Sequence, residues 1–214
     1  MSLISDKDRD YLKEAFSRMV NTARIVLFTQ DFECASCRST HELMNEVAEL
    51  SDKIDLVVYD LVDDAANAKE YSVDRVPAVV VEGDEDYGIR FYGIPSGYEF
   101  STLVEDIISV GTGELGLSGA TADKLRDLEQ DVRIQVFVTP GCPYCRNAVH
   151  TAHMMAMASP RVTSEMVMAN EFPHLANRYG VMAVPKVVIN DSTSFEGAIP
   201  EEDFLSFVLR AVAS

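Results

Sequence analysis

The stretch 138-VTPGCPYCRNAV-149 sets two cysteines two residues apart, with a proline between them, directly after an apolar run. A second pair stands in 28-FTQDFECASCRSTHEL-43, and these four are all the cysteines of the chain. Cys34 and Cys37 map onto Cys142 and Cys145 at an offset of 108, and the same offset maps Pro77 onto Pro185. Each proline follows a valine, in 75-RVPAVVV-81 and 183-AVPKVVI-189, and 24-RIVLFTQDFECASC-37 aligns with 132-VRIQVFVTPGCPYC-145. A further match, 91-FYG-93 with 195-FEG-197, needs an offset of 104. Matched features in the same order indicate two copies of one unit.

Each copy opens with a helix, 5-SDKDRDYLKEAFSRM-19 or 121-TADKLRDLEQ-130, and passes through a β-rich run, 24–30 or 133–139, into its CxxC. A helix follows (38–50 or 146–158), then a strand (54–61 or 162–169), then a short helix near 63–72 or 171–179. Apolar β-branched runs, 78-AVVVE-82 and 186-KVVIN-190, lead through turn residues to 89-IRFYG-93 and 193-TSFEG-197. Helices 98–110 and 201–213 close the copies. This order predicts an α/β fold in which each copy is a mixed sheet flanked by helices. Gly-rich 111-GTGELGLSG-119 marks the boundary, giving domains 1–116 and 117–214.

Composition narrows the function classes. With 47% hydrophobic and 25% charged residues the chain has an ordinary globular make-up. Its formal charge of −17 argues against nucleic acid and anionic lipid as partners. No apolar run approaches the ~20 residues of a membrane span, and the N-terminus does not read as a secretory signal. The charge is uneven: residues 1–119 carry 24 acids and 10 bases, residues 120–214 carry 11 and 8.

Three uses of the cysteines compete. Zinc needs four ligands brought together, which here requires two separate α/β units to face one another, so no metal is expected. A bridge across two residues closes a very small loop and constrains the unfolded chain little. Thiol–disulfide exchange needs an attacking thiolate and a nearby resolving thiol. A CxxC at a helix start supplies both, because the positive helix end lowers the first thiol's pKa. The second sulfur is expected one turn into the helix. Each Val–Pro reads either as an ordinary edge or turn feature before a strand or as a cis turn packed on the CxxC, which would leave the backbone of Val76 or Val184 free to pair with an extended substrate.

On these residues each copy resembles a thioredoxin fold, and CPYC is the motif typical of glutaredoxins. The whole chain resembles the glutaredoxin-like protein disulfide oxidoreductases of archaea and some thermophilic bacteria, with further similarity in 89-IRFYGIPSGYEF-100 and 181-VMAVPKVVIN-190. The resemblance implies two tandem thioredoxin-like domains that form, reduce and shuffle protein disulfides in the cytoplasm. It implies Cys34, Cys37, Cys142 and Cys145 as catalytic, Pro77 and Pro185 as the cis-prolines, and no cofactor beyond the redox-active disulfides. It also implies protein thiols and disulfides as substrates and reduction by a thioredoxin reductase-like flavoprotein. A relay to a peroxiredoxin resembles the N-terminal module of alkyl hydroperoxide reductase flavoproteins, although that module typically keeps one CxxC. A chaperone-like protein that binds extended chains without turnover is the reading from outside the enzyme class.

The chain departs from the thioredoxin pattern at the buried acid six residues before the first cysteine, where it has Phe28 and Val136. Asp60 and Glu165 on the next strand are candidate substitutes, against solvated or capping roles. His41, His150 and His153 read as surface histidines, and Met154, Met155, Met157, Met166 and Met168 as core filling. Pro143 suits a first helical turn, and Tyr144 gives the second site a partly apolar rim that Ala35 and Ser36 do not. The sites are expected to differ. Asp31 and Glu33 precede Cys34 and oppose thiolate formation, whereas no charge precedes Cys142 and Arg146 follows Cys145. Alkylation of Cys37→Ser and Cys145→Ser variants at neutral pH is expected to be faster at Cys142 than at Cys34, and the reverse order contradicts this ranking.

Overall fold

The computed structural model describes residues 3–213. The first copy runs α1 (Asp6–Phe16), β1 (Ala23–Thr29), α2 (Cys37–Ala48), β2 (Ile54–Asp60), α3 (Ala65–Glu70), β3 (Ala78–Glu82), β4 (Ile89–Tyr92) and α4 (Tyr98–Thr112). The second runs α5 (Gly119–Arg126), β5 (Val132–Val138), α6 (Cys145–Ala158), β6 (Val162–Met168), α7 (Pro173–Arg178), β7 (Lys186–Ile189), β8 (Thr193–Glu196) and α8 (Glu201–Val212). Local chemistry accounts for the ends. Ser5 caps α1 by accepting the Asp8 N–H at 3.2 Å, with Asp6 and Asp8 in the positive first turn. Gly113, at φ 76°, closes α4 in the left-handed region, and Ser118 caps α5.

All eight strands share one sheet, in the order β2-β1-β3-β4-β6-β5-β7-β8. In each copy the first two strands are parallel, and the third is antiparallel to both the first and the fourth. The copies join where β4 pairs in parallel with β6, from Ile89–Ser164 to Tyr92–Val167. Position in the sheet decides burial. Internal 89-IRFY-92 is buried at every residue, whereas its edge counterpart 193-TSFE-196 alternates between half-buried and exposed. Core side chains of α1, α2, α4, α5, α6 and α8 pack on one face of the sheet, and those of α3 and α7 on the other.

Strand register corrects the sequence alignment of the two copies by one residue. Ala23 opposes Ile54 as Val132 opposes Val162, so Leu27 and not Phe28 is the counterpart of Val136. The first copy has one more residue between strand and cysteines, in the segment where Glu33 takes φ 54°. Because strand side chains alternate faces, Phe28 points toward α3, and Leu27 and Val136 point toward the helices that carry the cysteines. Both positions remain apolar.

The joint also corrects the histidines. His153 is fully buried, and His150 is half-buried. Both bind the buried Asp106 of α4, through Nδ1 at 2.5 Å for His153 and 3.2 Å for His150. Burial opposes charge on His150, but the hydrogen bond and charge of Asp106 prevail and raise its pKa. Phe91 of β4 packs edge-on against His153, with ring centroids 4.8 Å apart. His41 is half-buried on α2. Met154, Met155, Met166 and Met168 are buried, as core-filling residues are. Phe91→Ala removes a fully buried ring at the joint and is expected to cost about 3–5 kcal/mol in urea unfolding. The parent chain is expected to unfold in one transition, because the joint belongs to the core; two separated transitions contradict a shared core.

Candidate active sites

In each copy the cysteine pair lies where the chain leaves the central strand and opens a helix. The second cysteine is the first helical residue, since Cys37 begins α2 and Cys145 begins α6. The expectation of a sulfur one turn into the helix is thereby corrected: the turn over the four residues comes before the helix. At the second site the Cys145 N–H bonds the Cys142 carbonyl at 3.4 Å. Pro143 therefore occupies the second position of a turn, which suits its fixed φ, rather than the first turn of the helix.

Both pairs are disulfides with Cα–Cα distances of 5.5 Å. At each site the first cysteine is the more accessible residue. Cys37 and Cys145 are 2% and 0% exposed, whereas Cys34 is half-buried and Cys142 keeps 8%. The Val76–Pro77 and Val184–Pro185 bonds are both cis. The Val184 carbonyl oxygen lies 3.7 Å from Cys142 Sγ, so that loop rests on the sulfur. Each cis-proline carbonyl accepts a glycine N–H from the following hairpin, Gly93 at 2.9 Å and Gly197 at 2.8 Å. Tyr144 and Met182 are largely exposed around the second site, as is Phe32 beside the first. A groove of about 810 Å³ runs between α1 and α4, past Ile94 and Phe100 to Arg146.

Of the two acids, one takes the capping role that the sequence reading allowed and the other does not. Asp60 is a turn cap: its Oδ1 accepts the N–H groups of Val62 and Asp63 at 2.8 and 3.0 Å, and these bonds lower its pKa. Glu165 is neither solvated nor a cap. It is buried, bound by Arg133 at 2.6 and 2.9 Å and by Gln135 at 3.0 Å, and it shares the α3/α7 face with Val167. The cysteines of the second site lie on the opposite face, so Glu165 is not available to them. Arg146 is bound to Glu105 of α4, and Arg38 to Glu42 at 3.0 Å.

Two carboxyls escaped the sequence reading. Glu99, in the first turn of α4, is fully buried; Thr102 donates to one oxygen at 3.1 Å, and the other has no hydrogen-bond partner among the described residues. Burial pushes its carboxyl up to about 7, the Thr102 bond and Arg146 oppose this, and Asp106 adds to it. The segment before it touches the second site: Gly97, at φ 63°, sits so close to the Pro140 carbonyl that a Cβ has no room. The signal was present in the sequence, since Glu99 and Asp106 share a helical face with Leu103 and Val110, an apolar stripe. Glu171, after β6, reaches across the joint to the Ser36 hydroxyl between Cys34 and Cys37. No local pattern predicts that contact.

Comparison with known proteins places this geometry. A family model described as "Thioredoxin domain" matches twice, at residues 24–105 and 132–210. The crystal structure of a protein disulfide oxidoreductase from Aeropyrum pernix is 37% identical, with a TM-score of 0.92, covering 98% of this chain and 94% of that one. A domain of alkylhydroperoxide reductase AhpF from Enterococcus faecalis has a TM-score of 0.89 at 25% identity, covering 96% of this chain and 99% of that one. An alkyl hydroperoxide reductase chain from Pseudomonas putida is 26% identical over 92% of this chain, which spans only 36% of that relative. Among the described residues no helix is long and apolar enough to cross a membrane.

The raised Glu99 pKa fixes a pH dependence. Between about 4.5 and about 7 the unfolded chain releases this proton before the folded one, so this group lowers stability as pH rises. Glu99→Gln is expected to stabilise the protein by up to about 3 kcal/mol above pH 7, at about 1.4 kcal/mol per pH unit, with the gain vanishing below about pH 4.5. Urea unfolding at both ends of that range checks this; a gain independent of pH contradicts it.

Proposed function

The chain belongs to the thioredoxin domain family and, within it, to the tandem protein disulfide oxidoreductases, and on that premise we propose that it exchanges dithiols and disulfides with other proteins. The observation that carries this reading is the repeated constellation: a CxxC opening a helix, its first cysteine the more accessible, in a copy that also carries a cis Val–Pro bond. In the reducing direction the Cys142 thiolate attacks a substrate disulfide. The substrate S–S bond breaks, a mixed disulfide forms, and one substrate thiolate leaves and takes a proton. Cys145, deprotonated, then attacks Cys142 sulfur and releases the second substrate thiol. Two electrons and two protons pass to the substrate, and the Cys142–Cys145 disulfide closes. The reverse sequence donates a disulfide, and attack without net transfer isomerises one.

In this reading Cys34 and Cys37 perform the same steps at the first site. Val76, Pro77, Val184 and Pro185 present backbone to an extended substrate, and Pro143 and Tyr144 shape the rim beside Cys142. Glu99, rather than Asp60 or Glu165, is the candidate proton acceptor in this reading. It is fully buried, burial pushes its carboxyl up to about 7, and Arg146, next to Cys145, is among its charged neighbours. The chain divides functionally at 1–116 and 117–214. Its setting is the cytoplasm, where a thioredoxin reductase-like flavoprotein returns electrons. The similarity to alkyl hydroperoxide reductases favours a second reading, in which the same exchange feeds a peroxiredoxin.

Insulin reduction by dithiothreitol tests the proposal. The parent chain is expected to accelerate it, Cys142→Ser/Cys145→Ser to lose most of the acceleration, and Cys34→Ser/Cys37→Ser to lose less. Acceleration that survives loss of all four thiols assigns the chain to non-catalytic binding instead.

A further inference from the structure

We propose that Glu171, supplied by the second copy, is a positioning residue for the first cysteine pair and holds that dithiol less reactive than the second one. The proposal rests on the dithiol–disulfide reading above.

Glu171 follows β6 in a turn closed by its N–H on the Met168 carbonyl at 3.0 Å. Its carboxylate crosses the joint. Oε1 accepts the Ile94 N–H at 3.0 Å, and Oε2 accepts the Ser36 hydroxyl. Ser36 immediately precedes Cys37 at the cap of α2, and its side chain makes no capping bond to that helix. Gly93 lies beneath the same carboxylate at φ 94°, where a Cβ would stand 2.9 Å from Oε1 and 2.5 Å from Met168 Cβ. The Gly93 N–H is bonded to the Pro77 carbonyl. One foreign carboxylate thus ties together the CxxC turn and the hairpin that holds the cis-proline.

Among the described residues the second site has no equivalent. Tyr144, largely exposed, stands where Ser36 does, and a Cβ on Gly197, the counterpart of Gly93, meets nothing within 4 Å. The reason is topological: β4 has β6 beside it, whereas β8 is the sheet edge.

The electrostatic consequence follows. The positive end of α2 is what favours a Cys34 thiolate. A carboxylate bonded at that cap offsets it and repels a second negative charge. The surrounding charges do not compensate. Asp31 and Glu33 are exposed on the approach, Arg38 is bound to Glu42, and Asp74 and Arg75 before Val76 bind each other. His41 is half-buried on α2. A thiol that ionises less readily leaves the disulfide form favoured.

The test uses two full-length backgrounds. In Cys142→Ser/Cys145→Ser, the Cys34–Cys37 disulfide is equilibrated with dithiothreitol. Two electrons and two protons enter the protein, its S–S bond breaks, and one forms in the reagent. Adding Glu171→Gln, which keeps the shape and an acceptor oxygen, is expected to shift this equilibrium about tenfold toward the dithiol, about 30 mV. In Cys37→Ser/Cys145→Ser, alkylation of Cys34 and Cys142 is followed against pH by peptide mass. Glu171→Gln is expected to move the Cys34 profile to lower pH and leave the Cys142 profile in place, which a general loss of structure does not do. An unchanged equilibrium and Cys34 profile overturn the role of Glu171 and leave the exchange reading standing. A Cys34–Cys37 pair that does not equilibrate with dithiothreitol in that background overturns both the role of Glu171 and the exchange proposed for the first site.

Discussion

The parallel pairing of β4 with β6 is the constraint on which the rest of the molecule depends. Four residue pairs, Ile89–Ser164 to Tyr92–Val167, turn two similar units into one eight-stranded sheet. That ladder leaves α4 packed on α6, and the turn after β6 against the first cysteine pair. A carboxylate as deep as Asp106 is tolerable there because two imidazoles satisfy it; unpaired, it would be strongly destabilising. The joint is therefore both core and electrostatic framework. One acid crosses the joint to a cysteine pair: Glu171 goes from the second copy to Ser36 and Ile94 of the first.

This crossing gives the two cysteine pairs different surroundings even though they descend from one pattern. The first site has a more exposed leading cysteine, in a setting of acids: Asp31, Glu33 and the Glu171 contact through Ser36. The second has a leading sulfur tucked against the Val184 carbonyl, a turn stiffened by Pro143 and an apolar rim at Tyr144 and Met182. Accessibility favours the first and electrostatics the second. Thiol exchange proceeds through the thiolate, so ionisation weighs more than a modest difference in exposure. A chain that holds two dithiols of different poise can accept electrons at one and pass them on at the other.

The sequence made most of the single copy legible, because its signals are local or repeat with fixed spacing. The CxxC, the Val–Pro pairs and the alternation of apolar runs with amphipathic helices recovered the element order, with ends within a few residues. What it hid depends on contacts between the copies. His153 looks like a surface histidine on its own helix, and only the approach of α4 buries it beside Asp106. Glu165 reads as a free acid until Arg133 and Gln135 on the neighbouring strand claim it. The one-residue offset between strands was invisible because Leu27 and Phe28 are equally apolar, so periodicity gives no hint which faces the cysteines. One clue to the joint did lie in the sequence. Of two equivalent strands, 89-IRFY-92 is the more apolar, as befits a strand covered on both sides, and 193-TSFE-196 carries the polar alternation of an edge.

The central claim is that one sheet holds two dithiols of unequal poise, with the second site the more readily reduced. The direct measurement is to give the fully oxidised chain one equivalent of dithiothreitol, let it equilibrate, and locate the thiols by trapping and peptide mass. The account predicts thiols at Cys142 and Cys145, with Cys34 and Cys37 still joined. Thiols found mainly at Cys34 and Cys37, or spread evenly over both sites, contradict it.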